Sequence, residues 1–281
     1  MSTLAGEHII ARSIAASRIK DSYGNYWQYN SRSDRHSKIA CWAIMFDVLQ
    51  TCSLLREHVL KGKVAFGINH ELRDFKQDRK KNLDLVLCTG RENVVTTFNE
   101  YGTKNGVELS SEEKKVLGEL PVMQRASVAN VLVALEAKAC MTEHVKALPR
   151  LHDELSSSHQ TIHGDTEGAI AAGYVMINCS ERFVSSDKNK KKIRAGKAIY
   201  NQHSQPQAAI RTLEAIQKLP RRSGEHDRGF DALGVSMIDC KNDGSNIVMD
   251  EAYSSHIPSI LSYGSLIQRL GHLYSTKYIG I

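Results

Sequence analysis

The sequence predicts an α/β fold with a central mixed β-sheet flanked by helices, and three observations predict it. Apolar runs of strand length, Leu83 to Cys88, Leu132 to Cys140 and Ala169 to Asn178, are bounded by polar segments. Longer stretches with apolar residues at helical spacing alternate with them. No internal repeat and no Gly/Ser-rich or Pro-rich linker divides the 281 residues, which predicts a single domain. Its core is expected at about 39–178, with a helix and loop at 1–38 and C-terminal helices and a hairpin at 200–281.

Taken in order, Leu4, Ile9, Ile10, Ile14 and Ile19 predict an opening helix that ends near Gly24. The polar and aromatic stretch Tyr26 to Lys38 reads as an ordered loop. Ile39 to Val59 has the length and periodicity of one largely buried helix. A hairpin follows, with a strand at Val64 to Ile68, a charged connection from Arg73 to Lys81 and a return strand at Leu83 to Cys88. Ser110-Ser111-Glu112-Glu113 starts a short helix in an inserted element. Val128 to Ala139 is the next strand, and Met141 to Leu155 a helix that Pro149 would bend or interrupt unless the helix begins later. Ala169 to Asn178 lacks strict alternation, as expected of a strand covered on both faces. A lysine-rich loop, an amphipathic helix at Gln207 to Leu219, a hairpin turning at Asn242 to Ser245 and a helix from Ile257 to Leu273 complete the chain.

Composition narrows the function. With 41% hydrophobic and 24% charged residues the chain is globular, and its apolar runs are too short or too interrupted to span a bilayer. The first residues lack a basic flank, an apolar run and a small-residue cleavage site, so a cytoplasmic protein is expected. The six cysteines form no CxxC pair and no cysteine-histidine zinc spacing, so they read as reduced buried thiols. A net charge of +6 permits a nucleic-acid partner without requiring one. His152, His159 and His163 match no compact zinc motif, and neither GxxxxGK[ST] nor a complete GxGxxG occurs.

Two charged anomalies carry the chemistry. Asp84 lies inside Leu83-Asp84-Leu85-Val86-Leu87, where an uncompensated carboxylate costs several kcal/mol or more, on the order of magnitude of an ion's burial. Glu136 and Lys138 lie two apart in another apolar strand, hence on one face. If the strands are neighbours, the carboxylates of Asp84 and Glu136 can share one hard divalent cation with room left for water and a phosphate oxygen. Such a metal would neutralise charge at phosphorus, orient the phosphate and lower the pKa of a bound water. Lys138 would orient or help deprotonate that water, or stabilise the transition state as a fixed charge. The alternative is an internal ion pair of Lys138 with Glu136 or Asp84 that performs no chemistry.

An acid on one strand followed by Glu-x-Lys on the next resembles the signature of the PD-(D/E)XK nucleases. Here the match is Asp84, then Glu136-Ala137-Lys138, and the resemblance covers about Ile39 to Asn178. It departs in having no proline before Asp84 and a long connection between the two strands. The resemblance implies a restriction-endonuclease-like core with helical embellishments, catalytic residues Asp84, Glu136 and Lys138, and magnesium, with manganese able to substitute, on Asp84 and Glu136. It also implies DNA as partner, endonucleolytic phosphodiester hydrolysis, a role in bacterial defence as restriction enzyme or anti-phage effector, and a homodimer or larger assembly, since cutting a duplex takes two sites.

Further acids for the metal are Glu71, ahead of the Asp84 strand, and Glu7, with Asp47 ranked below Glu71. Arg32, Arg35, His36 and Lys38, set among Tyr26, Trp27 and Tyr29, and Arg79, Lys80 and Lys81 suit nucleic-acid contacts; solvated loops with Trp27 tucked into the core explain them equally. The run Lys188, Lys190, Lys191, Lys192, Arg194 and Lys197 reads first as a solvated loop and second as a clamp. A rival function is a nucleic-acid-binding or scaffold subunit that keeps the nuclease fold without its activity. A hydrolase or ligand-binding protein unrelated to nucleic acid is another.

Overall fold

The computed structural model describes residues 4–75, 77–91, 96–191, 193, 196–224 and 227–281. The N-terminal part holds α1 (Gly6–Ala16), the two-residue strands β1 (Ile19–Lys20) and β2 (Tyr26–Trp27), α2 (Arg35–Thr51) and α3 (Ser53–Leu60). A hairpin of β3 (Ala65–Asp74) and β4 (Arg79–Arg91) follows, then α4 (Phe98–Lys104) and α5 (Ser111–Glu119). Next come β5 (Ser127–Cys140), α6 (His144–Asp165), β6 (Ile170–Asn178), β7 (Arg182–Val184), α7 (Ser186–Asn189) and β8 (Tyr200–Gln202). The chain ends with α8 (Gln207–Gln217), β9 (Ala232–Asp239), β10 (Val248–Met249), α9 (Glu251–Ser254) and α10 (Tyr263–Lys277).

One six-stranded mixed sheet organises these elements, in the order β10-β9-β6-β5-β4-β3. The pairs β3/β4, β4/β5 and β9/β10 are antiparallel, while β5/β6 and β6/β9 are parallel. The parallel pairs require crossovers, and α6 supplies the first. This is the predicted α/β architecture of a central mixed sheet flanked by helices. α2 and α10 cover one face, where Ile9, Trp42, Phe46 and Tyr274 form an apolar layer. α6 and α8 cover the other through Leu151, Leu155, Ile162, Leu213 and Ile216. Each such large side chain contributes about 1.5–3 kcal/mol by leaving water. β6, buried at every position, is covered on both faces as its unbroken apolar run predicts.

Several boundaries differ from the sequence reading. The expected helix over 39–59 is two helices, because Cys52 is extended (φ −96°, ψ 102°) and turns the axis by 97°. The expected loop over 26–38 contains β2, and α2 begins at Arg35; Trp27 is buried and donates its indole N–H to Asp21 Oδ2 at 2.9 Å. The β3–β4 connection is shorter than expected, because both strands extend into the charged residues. α6 runs through Pro149 without a break, since the proline lies near the helix start and removes a single bond, that to the Val145 carbonyl. The terminal helix begins at Tyr263, after a short 3-10 turn over Ser259–Leu261. All six cysteines are buried free thiols. Among the described residues no single helix is long and apolar enough to cross a membrane.

Candidate functional site

Asp84 lies where two central strands part. β4 and β5 pair from Arg91/Ser127 to Leu85/Leu135, and that register, continued, sets Asp84 opposite Glu136. Backbone pairing stops there. Instead, the Ala137 N–H approaches Asp84 Oδ2 at 3.4 Å, a side-chain contact where a ladder bond would otherwise form. On the other side of β4, Asn69 of β3 adopts a left-handed conformation (φ 49°). Leu83 packs in the α6-side layer and Leu85 in the opposite one, although they are two apart. The strand therefore exchanges faces at Asp84, and its carboxylate reaches the open end of the sheet rather than a packed layer.

Ser37, in the first turns of α2, completes the Asp84 environment. Its Oγ lies 2.9 Å from both Asp84 Oδ1 and the Asp34 carbonyl oxygen. A hydroxyl carries one proton, so both contacts are satisfied together when Asp84 is protonated and donates to Ser37 Oγ. Burial and the neighbouring Glu136 charge push the Asp84 carboxyl up to about 7, against the opposing Lys138 charge and the contacts to Ser37 and Ala137.

Glu136 is 2% exposed, in the centre of β5. Its Oε1 receives two ammonium groups, Lys138 Nζ at 2.7 Å and Lys81 Nζ at 3.4 Å. Its Oε2 is buried and has no hydrogen-bond partner. Lys138 also approaches Glu154 Oε2 of α6 at 3.4 Å, and Lys81 donates to the Glu154 carbonyl at 2.7 Å and to Ser158 Oγ. Burial alone would lower Lys138, but the charge and hydrogen bond of Glu136 outweigh it and raise its pKa, so it is an ammonium ion. Lys81 is lowered by burial.

The three residues of the expected cluster thus converge, and Glu136 with Lys138 forms the ion pair that the sequence left as an alternative. The donor set fits a hard divalent cation. Glu136 Oε2 lacks a partner, and Asp84 carries a charge that its surroundings destabilise; a cation between them answers both. Among the described residues no three His, Cys, Asp or Glu side chains form a group that could hold a metal ion. The protein would therefore supply two carboxylates, a number that magnesium accepts because it keeps several waters.

A cleft of about 410 Å³ opens over Asp84 and Lys138, between the Tyr29–Ser37 segment and the start of α6, with Arg150 and Glu154 on its far wall. Arg32 and His36 line it. Burial and the Lys138 charge push the His36 imidazole down to about 4, so it is a neutral ring there. The remaining expected residues lie elsewhere. Arg35 and Lys38 stay outside the cleft lining, Lys38 pairing with Asp34 at 2.7 Å. Arg79 and Lys80 stand at the hairpin tip, where Arg79 donates to Gln160 and Lys80 pairs with Glu71 at 2.9 Å.

None of the expected additional acids lines the cleft. Glu71 is half-exposed beside Lys80, on the edge strand. Glu7 sits near β9 and accepts from Ser236 Oγ at 2.5 Å, on the α1 and α2 side of the sheet. Asp47 is consumed by the start of α1, accepting from the Ala5 and Gly6 N–H groups at 3.1 and 2.8 Å and from the Tyr263 hydroxyl at 2.9 Å. The carboxylate thereby satisfies helix-end N–H groups that would otherwise be orphaned. Lys81, expected along the phosphate path, lies inside the cluster. Ser37 and Glu154 are not legible in the sequence; the i,i+4 spacing of Arg150 and Glu154 is the one visible signal, and it concerns Glu154 alone.

No protein-family model, curated protein or solved structure matches this chain.

Proposed function

We propose that this chain is a divalent-metal-dependent nuclease of the PD-(D/E)XK kind, with Asp84 and Glu136 holding magnesium or manganese and Lys138 completing the catalytic set. One observation carries the reading: a buried carboxylate oxygen, Glu136 Oε2, has no partner beside a second carboxyl, Asp84, while a lysine two residues on grips Oε1 at 2.7 Å. Buried polar atoms are usually paired, so an unpartnered carboxylate oxygen next to a second carboxyl and a lysine supports a ligand at this place.

A bound divalent ion would supply Lewis acidity, offsetting charge on a phosphodiester and making a bound water more acidic. The chain's own groups do the rest. Ser37 and the Ala137 N–H fix the Asp84 carboxylate at the strand fork. Lys81, anchored on α6, keeps a cation on Glu136 Oε1 when Lys138 turns to a substrate phosphate. Lys138, an ammonium here, acts as a fixed positive charge for the pentacovalent state and as a proton source for the leaving oxygen, rather than as a base. The substrate proposed is DNA, cleaved endonucleolytically.

The experiment is plasmid and linear DNA cleavage with magnesium, with manganese, and with EDTA, by wild type, Glu136→Ala and Lys138→Ala. The expected result is cleavage that EDTA stops and that each substitution lowers by roughly 10²-fold or more. A wild-type protein inert with either metal yet retaining DNA affinity would establish the binding-subunit reading instead.

A further inference from the structure

The lysine-rich segment after β7, left by the sequence between a solvated loop and a clamp, lies beside the candidate site. Of its members, Lys192 and Arg194 fall outside the described residues. A second depression, of about 320 Å³, shares Tyr29, Ser31 and Thr142 with the cleft and reaches Lys146 and Lys188. A third, of about 500 Å³, shares Arg32, Ser33 and Asp34 with the cleft and reaches Lys20 and Lys190. The second and third meet at Ser186 and Asp187. All three adjoin one surface ion pair, Arg32 Nη2 to Asp187 Oδ1 at 3.1 Å, whose side chains are 77% and 54% exposed.

The charges around this path are unevenly committed. Asp21 accepts from the Tyr23 and Asn25 backbone N–H groups, the Asn25 amide and the Trp27 indole, so its carboxylate is spent inside its own turn. Glu143 is shared by Lys146 and Lys188, at 2.9 and 2.8 Å. Arg32, Lys146 and Lys188 are held in surface ion pairs, each worth at most about 1 kcal/mol, and a phosphate can compete for them. The groove floor offers neutral polar groups as well: Asn201 donates to Thr142 Oγ1 at 2.8 Å, and Thr142 Oγ1 lies 3.1 Å from His203 Nε2.

We infer that the three depressions form one groove that leads a DNA strand from the Asp84–Glu136 pair across Arg32–Asp187 to Lys188 and Lys190, with the strand's phosphates as the ligand. This rests on the nuclease reading for its starting point, and it adds the direction of the strand and the residues that track it. It also assigns a role to the basic run: backbone contact without sequence readout.

The test uses the full chain with calcium in place of magnesium and a labelled DNA duplex of about 20 base pairs, a length suited to phosphate contacts. Binding is measured across salt concentrations for wild type, for Lys188→Glu/Lys190→Glu, and for Lys104→Glu/Lys115→Glu, which changes the net charge equally on exposed helices outside the groove. The groove predicts that the first variant raises Kd roughly tenfold or more near physiological salt and flattens the log Kd against log salt slope by about 2, while the second changes Kd by about twofold or less. Equal effects of the two variants, or none from the first, overturn it. Cleavage by Glu136→Ala separates the claims. Wild-type cleavage by that variant with binding lost in Lys188→Glu/Lys190→Glu sinks the Asp84–Glu136 site and leaves the groove as a DNA-binding surface; the reverse pattern sinks the groove alone.

Discussion

Lys138 Nζ and Lys81 Nζ both point to Glu136 Oε1, at 2.7 and 3.4 Å, and leave Glu136 Oε2 buried without a partner. Under the proposed function, two cations on one oxygen would make Glu136 a preset ligand, its charge balanced on one side and directed on the other. Glu136→Gln keeps the volume and removes the charge. Cleavage is expected to fall by roughly 10²-fold or more while the melting temperature shifts by a few degrees, measured by plasmid nicking and thermal denaturation. An active Glu136→Gln protein would remove the metal role.

On the same proposal, Lys81 would be a positioning residue, acting on substrate only through Glu136. Lys81→Met is expected to weaken manganese binding several-fold, read by calorimetry, because Glu136 then depends on Lys138 alone. Lys81→Arg should restore part of it if an α6-anchored cation is what matters. Lys138→Met, in contrast, leaves Glu136 paired with Lys81 and should lower kcat far more than metal affinity.

Asp84 gives the stability a pH dependence of stated sign. Its folded pKa, about 7, lies above the ordinary carboxyl value of 3.8, so in metal-free protein the folded state holds the extra proton between these limits. Its contribution therefore favours folding at low pH and is lost as pH rises from about 4 to 7, with no further change above. Asp84→Asn removes that loss, and metal-free Asp84→Asn should be more stable than wild type at pH 8 by up to about 4 kcal/mol, with the difference vanishing near pH 4. Chemical denaturation in EDTA across this range checks it. A difference that does not grow with pH would mean that Asp84 is already compensated by the protein alone.

Asp47 and Glu7 serve as opposite controls. Asp47→Ala uncaps α1 and leaves the Tyr263 hydroxyl without its carboxylate partner, an expected cost of about 1–3 kcal/mol. Metal affinity should be unchanged in Asp47→Ala and in Glu7→Gln. Loss of metal binding in either, with the fold intact by circular dichroism, would return those residues to the site.

The sequence made the layers and the charged strand positions legible because both depend on local pattern. Apolar runs of strand length located β4, β5 and β6, and charges stranded within them marked Asp84, Glu136 and Lys138. What it hid depends on irregular backbone. The face exchange at Asp84, opposite left-handed Asn69, brings Lys81 to Glu136, although strict alternation along β4 places Lys81 and Asp84 on opposite faces. Ser37 and Glu154 arrive from helices whose approach no spacing in the chain specifies. Glu7 and Asp47 were plausible ligands by residue type, yet tertiary hydrogen bonds to Ser236, Ala5, Gly6 and Tyr263 claim them.

The proposed function requires that Asp84 and Glu136 together hold one divalent cation. Calorimetric titration of the metal-free protein with manganese, at pH 8, tests it most directly. One saturable site is expected in wild type, with binding lost or weakened at least tenfold in both Asp84→Asn and Glu136→Gln. No saturable binding by folded wild-type protein, or variants that bind manganese as tightly as wild type, would show that the pair holds no cation.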